Sequence, residues 1–110
     1  MKPFYLYMLR CFDGSLYVGH TDDLDARMAL HHSGALGGYT STRRPLELVY
    51  ARELATRIEA LELELRIKGW SRAKKEALIA SDWDRVKALA RGPDRHERNA
   101  RAAALRLRAR

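Results

Sequence analysis

Cysteine is almost missing from this chain of 110 residues. Cys11 stands alone, which excludes an internal disulfide and any zinc site built on several thiolates. No apolar run approaches the length of a membrane span, and there is no internal repeat. Met1-Lys2-Pro3 leads directly into strand-like sequence, so no secretory signal is expected and cytoplasm is the expected compartment. Acidic residues are in the minority, 14 against 21 lysines and arginines, for a net charge of +7.

What is present is enough apolar residue, 46%, for a globular fold rather than a disordered chain. The length suits one domain with a modest core. The positive excess is unevenly placed. Residues 92–110 hold six arginines against Asp94 and Glu97, a net of +4, and residues 1–91 keep the remaining +3. Such a chain suits a polyanionic partner, with solubility as the competing reading. The expected organisation is a folded body over residues 1–91 and a basic, arginine- and alanine-rich tail over 92–110. Leu105 and Leu107 give that tail little apolar surface to anchor it, so a loosely attached helix or a disordered segment is expected.

Phe4 to Cys11 is aromatic and apolar and reads as a strand. Phe12-Asp13-Gly14 is a turn signal, and Ser15 to His20 reads as the second strand of a hairpin. Thr21 or Asp22 can cap a helix that runs to about Ser33, with Gly34 as its stop. Residues 34–45, with Gly34, Gly37, Gly38 and Pro45, read as a loop. Leu46 to Tyr50 alternates as a third strand. Thr56 and Glu59 form a capping box, and the helix behind it, ended by Gly69, carries Ile58, Leu61 and Leu65 on one stripe. Ser71 opens a short helix ending near Ala80. Ser81 and Asp84 give a second box-like start, and Gly92-Pro93 stops the last helix. Trp70 and Trp83 are expected to pack these elements onto the core. The order β-β-α-β-α-α-α predicts a small α/β fold, an antiparallel three-stranded sheet with helices around it.

A three-residue turn at 12–14 pairs residue 9 with 17 and 7 with 19. Tyr7, Leu9, Tyr17 and Gly19 then share one face of the sheet, and Gly19 leaves space above Tyr7. A two-residue turn would put the two tyrosines on opposite faces. Arg27 and His31 are four apart on the first helix and share a side of it, beside the Leu24 and Met28 stripe. An arginine there suits a phosphate, because its planar fork matches two oxygens. His31 and His32 point about 100° apart and cannot jointly ligate a metal. On the helix from 57 to 68, Glu62 can pair with Arg66 and Glu64 with Lys68. Glu64 is the carboxylate best placed to face inward, and an inward carboxylate near an arginine suggests a hard-cation ligand. The loop from Tyr39 to Arg44 is polar and basic and suits phosphate contacts with little base specificity.

Taken together these residues resemble the GIY-YIG nuclease superfamily. Tyr5-Leu6-Tyr7 stands where that family carries Gly-Ile-Tyr, and Tyr17-Val18-Gly19 where it carries Tyr-Ile-Gly. Arg27 and His31 on the first helix and Glu64 on the next main helix continue the match, which covers roughly residues 4–91. The chain is most similar to the small stand-alone bacterial members, which in turn resemble the catalytic domain of the structure-specific (Holliday-junction and flap) resolvases. The glycine of the first signature is Tyr5 here, as is usual for that subgroup. His20 follows the second signature, where some members carry lysine.

The resemblance implies an endonuclease that hydrolyses phosphodiester bonds with one divalent ion, Mg²⁺ or Mn²⁺, at Glu64. Tyr7, Tyr17, Arg27, His31 and Glu64 are the expected catalytic residues. Tyr5, Gly19 and His20 are expected to assist, with His20 as a group for proton transfer. Tyr39, Arg43, Arg44 and Lys68 are expected to contact nucleic acid, with DNA in repair or recombination as the polymer rather than RNA. A protein partner supplying target choice is a further expectation, since no sequence-reading module is recognisable. The competing readings are a non-catalytic DNA- or RNA-binding module and an accessory subunit of a repair assembly.

Overall fold

The turn at Asp13 and Gly14 fixes the register of everything that follows. The Asp13 carboxylate accepts from the Ser15 backbone N–H at 3.0 Å and from the Ser15 hydroxyl. Gly14 adopts φ 83°, the left-handed region that only glycine enters without strain. The turn closes with the Cys11 N–H on the Ser15 carbonyl at 2.9 Å. In this computed structural model, which describes residues 2–90, the flanking strands are β1 (Phe4–Arg10) and β2 (Leu16–Thr21). They pair antiparallel with Tyr7 opposite Gly19 and Leu9 opposite Tyr17, the register of a three-residue turn.

Next come α1 (Leu24–Ser33), α2 (Gly38–Ser41), β3 (Glu47–Leu54), α3 (Arg57–Lys68), α4 (Arg72–Ile79) and α5 (Trp83–Ala90). The sheet order is β2-β1-β3, with β1 antiparallel to both neighbours. As the central strand, β1 is covered on both faces, and Leu6, Tyr7, Met8 and Leu9 are all fully buried. On one face Tyr7, Leu9, Cys11 and Leu46 form a cluster, and Tyr17, Leu24 and Met28 pack against it. The expected α/β architecture is the observed one, with two additions. A one-turn helix, α2, occupies part of the segment read as a loop, and β3 continues to Leu54 rather than ending at Tyr50.

By compactness the chain divides into two units, with the boundary inside α3 between Leu65 and Arg66. The first unit holds the sheet, α1, α2 and the N-terminal part of α3. The α3 capping box forms, with Thr56 Oγ1 accepting from the Glu59 N–H at 3.2 Å. The Glu59 carboxylate reaches back to the Ala55 N–H at 3.3 Å. The apolar stripe expected to face the core does not do so: Ile58 is 69% exposed and Leu65 60%, whereas Ala60 is fully buried and Glu64 8% exposed. Leu61 and Leu63 are interleaved with glutamates, so apolar side chains surround the axis and the periodicity selects no face.

In the second unit Ile67, Ala77 and Leu78 are buried. Ser71 caps α4, its hydroxyl accepting from the Lys74 N–H at 3.2 Å. Lys74 is itself buried, its ammonium 4.2 Å from the centroid of the Trp70 ring. Trp83, expected in the core, is 54% exposed. The expected Ser81 start of α5 is also displaced, because Ser81 sits at φ 56° and the Asp82 carboxylate accepts from the Arg85 N–H instead. That puts Trp83 at the first helical position, projecting from the helix end. The Gly92-Pro93 stop and the basic tail of residues 92–110 lie outside the described residues.

Candidate active site

The site begins with a space that only glycine can leave. A Cβ built on Gly19 would lie 2.6 Å from the Tyr7 hydroxyl oxygen and 3.2 Å from Cε1 of Tyr17. The two tyrosines share that face, ring centroids 6.3 Å apart. Tyr7 is inaccessible to solvent. Burial, foremost, and the nearby Tyr17 and Glu64 push its hydroxyl pKa up to about 12, against the opposing pull of Arg27. Tyr17, Arg27 and Glu64 therefore all act on one phenol. Tyr5 precedes Tyr7 by two residues on β1 and pairs with Thr21 on β2.

Helix α1 delivers Arg27 and His31. Its N-cap is Asp23, whose carboxylate accepts from the Ala26 N–H at 3.1 Å. Thr21, an expected cap, instead accepts the Asp23 N–H at 3.1 Å and so holds the cap itself in place. Gly34 ends the helix at φ 79°. His31 is 2% exposed, with Nε2 2.8 Å from the Tyr7 hydroxyl and Nδ1 2.9 Å from the Thr40 hydroxyl. Its ring stands edge-on to Tyr7 and Tyr17, with centroids 5.6 and 5.4 Å away. Burial, with the positive neighbours Arg27 and His32, holds its pKa below the ordinary histidine value. At neutral pH the pair is thus a neutral phenol and a neutral imidazole.

Glu64 reaches the same neighbourhood from α3. Its Oε1 lies 3.2 Å from Nδ1 of His20, the residue beside Gly19 on β2. A cleft of about 280 Å³ opens here, lined by Phe4, His20, Thr21, Asp22, Arg27 and Arg57. Arg57 and Thr40 were not singled out by the sequence reading. Arg57 carried a signal, being a cation in the first turn of a helix, where the dipole disfavours it.

The loop residues Tyr39, Arg43 and Arg44 have distinct roles in holding the structure. The Tyr39 ring stacks on Tyr17, with centroids 6.4 Å apart and planes at 19°. The Arg43 guanidinium lies 3.7 Å from the Tyr39 centroid and binds the Asp13 carboxylate at 3.1 Å. The basic loop is thereby fastened to the hairpin turn. Arg44 donates to the carbonyls of Ser41 and Ser33 at 3.1 and 3.0 Å, capping the end of α1. A Cβ on Gly34 would come within 2.8 Å of its Cζ. Arg44→Ala is expected to lower stability by about 1–2 kcal/mol, since several carbonyls lose a charged donor. Thermal melts of the two proteins check this. Lys68 falls in the second unit, at the end of α3.

Residues 3–77 match the family described as the GIY-YIG catalytic domain. A UPF0213 protein of Bacillus pumilus is 49% identical over 75 residues, covering 68% of this chain and 76% of its own. A UPF0213 protein of Staphylococcus saprophyticus is 44% identical over 80 residues, 73% of this chain and 98% of its own. The solution NMR structure of protein EF2693 from E. faecalis is similar at 32% identity with a TM-score of 0.53, covering 74% of this chain and 86% of that one. The matched span takes in both hairpin strands, α1 and α3, and the chain belongs to the GIY-YIG catalytic domain family.

Proposed function

We propose that this protein is an endonuclease that hydrolyses phosphodiester bonds in nucleic acid with one divalent ion, Mg²⁺ or Mn²⁺, at Glu64. DNA in repair or recombination is the proposed substrate. The observation that carries the reading is the buried Tyr7–His31 contact, with Arg27 and Glu64 acting on the same phenol. A surface that only binds polyanions has no use for a desolvated phenol–imidazole pair. Membership of a catalytic-domain family supports the same reading.

Glu64 suits a hard cation: it is an oxygen donor, 8% exposed, with His20 orienting one of its oxygens. Among the described residues no group of three or more His, Cys, Asp or Glu could hold an ion. The donor set therefore fits an ion that keeps most of its waters, as Mg²⁺ does. When bound, such an ion supplies charge stabilisation for the scissile phosphate and the leaving oxygen.

The chain's own groups do the rest. Arg27 grips a non-bridging phosphate oxygen and favours the more charged transition state. Tyr7 orients the attacking water. With a pKa near 12 it is not a free tyrosinate at neutral pH, so it can take the water's proton only by passing its own to Nε2 of His31. Tyr17 packs its ring against Tyr7 and His31, and His20 steadies Glu64.

The test is cleavage of a panel of flaps, branched duplexes, single strands and RNA at stated salt, with Mg²⁺, Mn²⁺ or chelator. Cutting that requires a metal and stops with chelator is expected. A pure protein that binds the panel and cuts none of it with either metal overturns the reading.

A further inference from the structure

We propose that Thr40 is a positioning residue: its hydroxyl accepts the Nδ1 proton of His31 and so keeps Nε2 free to accept from Tyr7. The effect on turnover rests on the nuclease reading above; the tautomer itself does not.

Both ring nitrogens of His31 are engaged, at 2.8 Å to Tyr7 and 2.9 Å to Thr40. A neutral imidazole carries one N–H and one acceptor. Each partner is a hydroxyl, able to donate or accept, so distances alone allow two arrangements. The chemistry of the two hydroxyls selects one. A phenol is the stronger donor and the weaker acceptor of the two, because its lone pair is delocalised into the ring, so the phenolic proton is directed to Nε2. The positive charge of the nearby Arg27 pulls the Tyr7 hydroxyl toward easier proton release, which favours the same direction. Nδ1 then carries the hydrogen, and Thr40 accepts it. The tautomer of a histidine is set in this way by the bond its other nitrogen makes.

Thr40 is held for this task. It is 2% exposed. It sits on α2, approached through Gly37 and Gly38 at φ 67° and 69°. Its carbonyl accepts the Arg43 N–H at 3.1 Å, and the Phe12 N–H on the hairpin turn binds the Arg43 carbonyl at 2.9 Å. The short helix is therefore tied to the hairpin that carries Tyr7. The relay balances only in this tautomer: water gives a proton to the Tyr7 oxygen as the phenolic proton moves to Nε2, leaving an imidazolium and a bound hydroxide equivalent.

The test compares wild type with Thr40→Val, which keeps the shape and removes the hydroxyl, and Thr40→Ser, which keeps the hydroxyl. Nitrogen-15 spectra of the His31 ring near pH 7.5 should show the hydrogen on Nδ1 in wild type and Thr40→Ser. In Thr40→Val the population with hydrogen on Nε2 should rise. Single-turnover cleavage should fall about 10- to 100-fold in Thr40→Val with KM little changed, the scale of loss known for removing the outer partner of a metal-bound histidine. Thr40→Ser should restore most of it. Hydrogen on Nε2 in wild type overturns the proposal whether or not Thr40→Val folds. So does a folded Thr40→Val with wild-type tautomer and rate. A wild type that cuts nothing defeats the nuclease reading and leaves the tautomer result to stand by itself.

Discussion

Glu64→Gln is expected to reduce metal-dependent cleavage by on the order of 10³-fold or more while the protein stays folded. The substitution keeps the length and shape of the side chain, and the amide oxygen can still accept from His20. Only the charge goes. Because Glu64 is 8% exposed, few waters can replace that charge as a ligand anchor, so a cation has little else to hold it. Glu64 also raises the pKa of Tyr7, so its neutralisation relaxes one restraint on the phenol, and the loss must come from the metal and not from the base. Single-turnover cleavage with Mg²⁺ and with Mn²⁺, beside a thermal melt, reads both quantities. A variant that cuts at the wild-type rate removes Glu64 from the site.

Gly19→Ala should be nearly as damaging by a purely steric route. The new methyl would sit 2.6 Å from the Tyr7 oxygen and 2.7 Å from Cζ. Such contacts are usually relieved by swinging the side chain away. Tyr7 has nowhere to swing, being fully buried on the central strand with its hydroxyl against His31. Overpacking of this kind costs about 1–3 kcal/mol. The relief that remains, a tilt of the phenol, separates it from Nε2, and about 100-fold in rate should go with it. Melting and single-turnover rates separate the two losses. A stable variant with unaltered rate would mean that the position of Tyr7 does not matter to the reaction.

Much of this site's geometry is legible in the sequence. Asp13 and Gly14 specify the turn, the turn specifies the pairing of Tyr7 with Gly19, and period-two alternation puts Tyr17 on the same face. The four-residue spacing of Arg27 and His31 needed only a helix. What was hidden had physical causes. Helix α2 is four residues long and begins with glycine, a composition that reads as loop, so Thr40 carried no periodic signal. The cap of α1 fell on Asp23 because Thr21 was better used holding it. The buried face of α3 is marked by Ala60 and Glu64, residues that hydropathy ranks below the leucines around them. Trp83 followed the helix start, and the start followed Asp82.

The phenol proposed to react lies on the strand with neighbours on both edges and cover on both faces. Most enzymes keep their chemistry on loops, which open cheaply and often. Here the strand that carries Tyr7 is the part of the sheet expected to open last. Loosening the phenol while the rest of the sheet stays intact is therefore expected to be costly. The proposed reactive centre and the structural centre are one piece of chain, so under the nuclease reading the flexibility that turnover requires comes from the nucleic acid, from Arg27 and from the elements at the rim.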